Sequence, residues 1–163
     1  MVGSRGFTLI EGVVASAVLA IAVVALAASL NAGHMASYEF AQGRCATRLA
    51  EELLEYILSL PYHDPDESSA RGPEPGEAGI GLFDNMDDFH GYVEAGSTLR
   101  DMAGNEYPAQ YQGFTRSVTV ETVGETVSNL GEPISGLRIR VEVCSSRGRV
   151  WEIARFVAAP IGP

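Results

Sequence analysis

Lysine is absent from this 163-residue chain: all eleven cationic side chains are Arg, set against twenty-one Asp and Glu for a formal net charge of -10. A chain so short of positive charge repels phosphate backbones, which argues against nucleic-acid binding through a basic patch. Cysteine is scarce as well, with only Cys45 and Cys144. In an exported chain an even count invites a disulfide between them. Position argues against it, because Cys144 follows the outward face of a strand pattern and Cys45 lies at the margin of a helical stripe. Two unpaired thiols are the default expectation. The three histidines, His34, His63 and His90, have no spacing that suits a Cys/His nucleophile pair. Neither a Ser/His/Asp elbow nor a phosphate-binding glycine loop appears. No catalytic residue, cofactor or metal is expected. Proline is missing before Pro61, so no ring interrupts a helix over the first third of the chain.

What that first third contains is an apolar run with one misplaced charge. Nineteen uncharged residues run from Gly12 to Leu30, directly after Glu11. At about 1.5 Å per residue, a helix over 7–31 is roughly 36 Å long and exceeds the roughly 30 Å hydrocarbon core of a bilayer. The run is longer than the 7 to 15 residues typical of a secretory signal, and the small residue Gly6 precedes it, so ordinary signal-peptide cleavage fits poorly. An ionisable group inside a spanning helix costs roughly 2.5 to 3.5 kcal/mol on the lenient insertion scale. Glu11 therefore either sits shallow and snorkels to the interface or has a partner. Arg5 and the initiator amine lie on the short side of the span, which stays cytoplasmic under the positive-inside rule and leaves the bulk of the chain outside.

Residues Gly6-Phe7-Thr8-Leu9-Ile10-Glu11 closely resemble the type III signal of type IV pilins and type II secretion pseudopilins. The resemblance implies that a prepilin peptidase cuts between Gly6 and Phe7, removes residues 1–6 as a leader and methylates the new Phe7 amine. It also implies a task for Glu11, which in that family pairs with the terminal amine of a neighbouring subunit as protomers enter a helical filament. A buried carboxylate relieved only by an incoming amine fits the cost of isolated charge in lipid. Within the family, Phe83-Asp84-Asn85-Met86-Asp87-Asp88-Phe89-His90-Gly91-Tyr92, the 101–107 loop and the paired strands look similar to minor subunits of the mannose-sensitive haemagglutinin type. The chain lacks the helix-bending proline and carboxy-terminal disulfide loop common in major pilins. Gly12 also departs from the branched apolar residue often found after the glutamate.

Beyond the span, Ala46, Leu49, Ala50, Leu53, Ile57 and Leu60 recur at three- and four-residue spacing, with Arg44, Arg48, Glu51, Glu52 and Glu55 on other sides. This predicts that the helix continues as an amphipathic half over 32–60 and stops near Ser59, ahead of Pro61. Such a stripe is core rather than a cofactor site. Residues 64–81, rich in Asp, Glu, Ser, Gly and Pro, read as a mobile connection without fixed structure. Phe83, Phe89, Tyr92, Tyr107 and Tyr111 are expected to anchor an irregular region, 61–112, onto the core. The oxygen ligands of its Asp84–Asp88 and Asp101–Glu106 clusters could hold a calcium ion, but neither cluster has the spacing of an EF-hand loop, and turns and helix caps are the default reading.

The last third, 113–163, alternates like an antiparallel sheet. Phe114, Val118 and Val120 share one face of a strand over 113–123, with Arg116 as the single polar break. Leu137, Ile139, Val141 and Val143 share a face of a second strand, while Trp151, Ile153 and Val157 share a face of a third, reached through a hairpin at 145–148. The expected fold class is α+β and pilin-like, a long helix laid across a small antiparallel sheet in one exported domain.

The implied function is that of a minor pilin-like structural subunit in the inner membrane and then in a pilus. Its partners would be other subunits, the prepilin peptidase, the inner-membrane assembly platform and lipid. Two rivals stand beside it. One is a pseudopilin of type II secretion; the other is a signal-anchored periplasmic module that binds a ligand through its 84–107 loop and keeps its leader.

Overall fold

The computed structural model describes residues 8–63, 72–77, 79–96, 98–126 and 133–160. The chain falls into two compact units, Met1–Gln42 and Gly43–Pro163. Helix α1, Leu9–Leu58, runs through both. No proline interrupts it, and its end is local chemistry. The Ser59 amide donates back to Glu55 and Tyr56, Leu60 to Ile57, and the Ser59 hydroxyl accompanies them by donating to the Tyr56 carbonyl at 2.6 Å. Pro61 follows without an N–H to extend the ladder. The helix therefore stops one residue before the expected Ser59. The expected start at Phe7, like Gly6 and the rest of the leader, lies outside the described residues.

In the first unit the helix carries no buried residue. In the second it turns amphipathic, with Ala46, Leu49, Ala50, Leu53, Leu54 and Ile57 buried. Five of the six predicted stripe positions are among them; the sixth, Leu60, lies past the helix end and is only partly buried against the core, while Leu54 is buried without having been predicted. Each fully buried Leu or Ile contributes on the order of 1.5–3 kcal/mol.

The stripe packs on a four-stranded antiparallel sheet with the order β1 (Val93–Ala95), β2 (Phe114–Thr126), β3 (Pro133–Ser145) and β4 (Val150–Ala158). The inward residues are Phe114, Val118 and Val120 of β2 and Leu137, Ile139, Val141 and Val143 of β3, all in the buried core with the helix. Register places Val118 opposite Val141 and Val120 opposite Ile139, so the apolar faces of β2 and β3 coincide. Trp151, Ile153 and Val157 of β4 are partly buried against the same core. The β3–β4 hairpin closes where the Ser145 amide donates to the Arg149 carbonyl and the Gly148 amide to the Ser145 carbonyl, both at 2.8 Å, and Gly148 takes φ +77°. A left-handed residue there suits glycine.

Two expectations need correction. The region 61–112 is not wholly irregular, because Val93–Ala95 forms β1 against residues 115–117 of β2. A three-residue strand carries too little alternation to be read locally, and its pairing with β2 is what creates it. Likewise 64–81 is not without fixed structure throughout. The Glu77 amide donates to the Glu74 carbonyl at 3.0 Å, closing a turn around Pro75 and Gly76. Proline followed by glycine is a pair suited to such a turn. Residues 64–71 and 78 lie outside the described residues.

Candidate functional site

At the start of α1 the residues of the Gly6–Glu11 motif that can be described form a reciprocal cap. The Glu11 amide donates to the Thr8 hydroxyl oxygen at 3.3 Å. Glu11 Oε2 in turn accepts from the Thr8 amide at 3.0 Å and from the Thr8 hydroxyl at 2.9 Å. This is a capping box, in which a Thr and a Glu three residues on satisfy two otherwise orphaned amides. Thr8-Leu9-Ile10-Glu11 carries the spacing of this box in the sequence itself, a local signal that the cost of a charge in lipid does not reveal. A carboxylate at this end of a helix also faces the positive end of the helix dipole.

Behind the cap, large apolar side chains are exposed all around the helix, with Leu9 88%, Ile10 71%, Leu19 65% and Ile21 70% accessible. Soluble surfaces rarely carry a contiguous apolar area of this extent. The apolar stretch of α1 has none of its residues buried in the chain, and the helix is long and apolar enough to cross a bilayer. Ser16, the polar interruption nearest the cap, donates its hydroxyl to the Gly12 carbonyl at 2.7 Å and presents no unmet donor.

In the second unit the loop clusters act as the turns and caps expected of them. Asn85 Oδ1 accepts the Asp87 and Asp88 amides at 2.7 and 3.3 Å, while Asp88 Oδ2 accepts the Asp84 and Asn85 amides at 3.0 and 3.1 Å. Together they set a single 3-10 turn over Asp87–Phe89. Asp101 closes its own loop, accepting the Ala103 and Asn105 amides on Oδ1 and the Asn105 side chain on Oδ2. The Asn105 side chain, followed by its backbone, holds the Asp101 carboxyl below the usual carboxylate range. Phe83 and Tyr92 both pack edge-on against Phe89, at 4.9 and 5.8 Å between ring centres, and Tyr107 lies 5.1 Å from Tyr111. The aromatics anchor the region as expected.

Arg116, the polar break in β2, is 1% exposed. It meets Glu94 of β1 at 2.7 Å, donates to the Arg100 carbonyl at 2.7 Å and lies over the Tyr107 ring. One guanidinium thus ties β1, the 100–107 loop and β2 together. Sequence periodicity marked the residue but not its role, because Glu94 is remote in the chain. Burial, and then the Glu94 charge, push the neighbouring Tyr92 hydroxyl up to about 12. His90 is likewise structural, its Nδ1 accepting the Val120 amide at 3.2 Å.

Cys45 and Cys144 are both free and partly buried, so the Cys45–Cys144 bridge is not formed. Among the described residues, one group has the geometry to hold a cation, formed by Glu74, Glu77 and Asp88. Comparison with protein-family models, curated proteins and solved structures finds no match to this chain.

Proposed function

We propose that the chain is a minor pilin-like structural subunit of a type IV pilus or related filament, cut by a prepilin peptidase between Gly6 and Phe7 and assembled through its N-terminal helix. The observation that carries this reading is the junction of the Gly6–Glu11 motif with a helix whose apolar side chains are exposed on all sides. Such a helix has to be covered, first by lipid and then by the helices of neighbouring subunits. An acidic helix-on-sheet domain following it in the chain suits an outward-facing subunit, and the protein is read as structural rather than enzymatic. The same junction would serve a pseudopilin of type II secretion, and the partners that copurify with the chain separate the two.

In the proposed sequence of events the chain sits in the inner membrane with its domain exported. Glu11 is held by the Thr8 cap until the methylated Phe7 amine of an adjoining subunit arrives. The carboxylate then accepts a charge-assisted bond in low dielectric, which sets the axial step between protomers. Mass spectrometry of membrane-extracted protein should find a chain beginning at Phe7 with one added methyl group. A chain that keeps its leader in cells with an active peptidase overturns the reading and favours the signal-anchored binding module.

Two substitutions at Glu11 then separate cap from charge. Glu11→Gln can still accept the Thr8 amide, as Gln does in capping boxes, but carries no charge; Glu11→Ala loses both. Both should insert and be cut normally, and both should fail to enter filaments. Filament entry by Glu11→Gln at the level of the unsubstituted chain would leave Glu11 with a capping role only.

A further inference from the structure

We propose that Glu74, Glu77 and Asp88 form a calcium site that clasps the Glu74–Glu77 turn to the 3-10 turn at Asp87–Phe89. One carboxylate oxygen from each residue lies within 4.8 Å of the other two. The independent sign of a missing ligand is Asp88, which is 1% exposed. Its Oδ2 is occupied by the Asp84 and Asn85 amides. Its Oδ1 is buried and receives no hydrogen bond. Among the described residues no Arg pairs with any of the three acids. A buried carboxylate oxygen without donor or cation is costly, and like charges around it add to that cost.

The donor set selects the ion. Three carboxylates and no nitrogen or sulfur point to a hard cation. Separations of at most 4.8 Å leave room for a central ion with ligands at about 2.3–2.6 Å, the Ca²⁺ range, in an irregular shell, whereas Mg²⁺ demands near-ideal octahedral geometry at about 2.0–2.1 Å and keeps more of its water. Glu74 and Glu77 are only partly buried, so water can complete the shell. Three acidic ligands on a partly open site suit a dissociation constant on the order of 10⁻⁴ to 10⁻³ M, the range of extracellular calcium modules. The proposal stands whether or not the chain polymerises.

The test is a calcium titration of the full chain in detergent after stripping with EDTA, read by calorimetry and by melting temperature, with Mg²⁺ in parallel. The unsubstituted chain should take up one Ca²⁺, melt higher with it and respond less to Mg²⁺. Combined Glu74→Gln and Glu77→Gln should weaken uptake about tenfold or more, since two of the three charged ligands are gone. Melting of the ion-free variant should be no lower, because both side chains are partly exposed and their repulsion is removed. Asp88→Asn, which keeps the side-chain shape, should also weaken uptake. Absence of uptake by the unsubstituted chain up to about 10 mM Ca²⁺, well above the expected range, overturns the site. So does uptake by the double variant within less than tenfold of it.

Discussion

Replacing Arg116 by Met keeps most of the side-chain volume and removes the charge with its hydrogen-bond donors, so a double-mutant cycle with Glu94 isolates what the buried ion pair does. The carboxylate of Glu94, its side chain 11% exposed, would lose the guanidinium 2.7 Å away and keep only neutral partners, the Arg100 amide at 2.9 Å and the Tyr92 hydroxyl. The Arg100 carbonyl would lose its donor at 2.7 Å as well. Removing one partner of a buried pair costs about 3–5 kcal/mol, mostly because the other charge stays behind. At about 4 °C of melting temperature per kcal/mol for a domain of this size, the midpoint should fall by about 10–20 °C. Adding Glu94→Gln removes the stranded charge and should restore at least half of the loss, since apolar or neutral replacement of both partners is often near neutral. Thermal melting followed by near-ultraviolet circular dichroism, on the four members of the double-mutant cycle in detergent, measures both quantities. A loss under about 1 kcal/mol for Arg116→Met, or a double variant no more stable than that single one, would refute the view that this pair organises the β1–β2 edge.

Other perturbations test the core, a close approach and the acidic corner. Leu53→Ala, at a fully buried position of the helical stripe, should destabilise the second unit by about 2–5 kcal/mol in denaturant titration. Gly96→Ala would set a Cβ against the Gln112 carbonyl oxygen; hydrogen exchange at the amides of β1 should rise while exchange at the β3 amides stays unchanged. The raised Asp87 carboxyl means that the folded chain holds that proton more tightly than the unfolded chain does. Between the ordinary value of 3.8 and the raised folded value, its contribution to stability therefore falls as pH rises. In EDTA, the melting temperature of the unsubstituted chain minus that of Asp87→Asn should decline from pH 4 toward neutrality, and a flat difference would contradict the shift. Asp101 has the opposite sign, its contribution being present above the ordinary 3.8 and lost as pH falls through its depressed folded value.

Much of the fold was legible because its rules are local. The stripe at 46, 49, 50, 53 and 57 repeats at the helical period, and the alternation at 137, 139, 141 and 143 repeats at the strand period, so each states which side is buried. The capping box at Thr8 and Glu11 is equally local and could have been read. The short strand β1 was not legible, since Val93–Ala95 becomes a strand only by pairing with residues 115–117 of β2.

By itself, the sequence determined the long helix, its exposed apolar half, its buried stripe and the alternating strands that stripe covers. Periodicity and hydrophobic burial are properties of neighbouring residues, so they survive without coordinates. Only the tertiary structure decided that Arg116 is spent on Glu94, that Cys45 and Cys144 stay apart as thiols, and that Glu74 and Glu77 arrive beside Asp88. Those pairings join segments remote in the chain, where no local period carries information and chain closure alone brings the charges together.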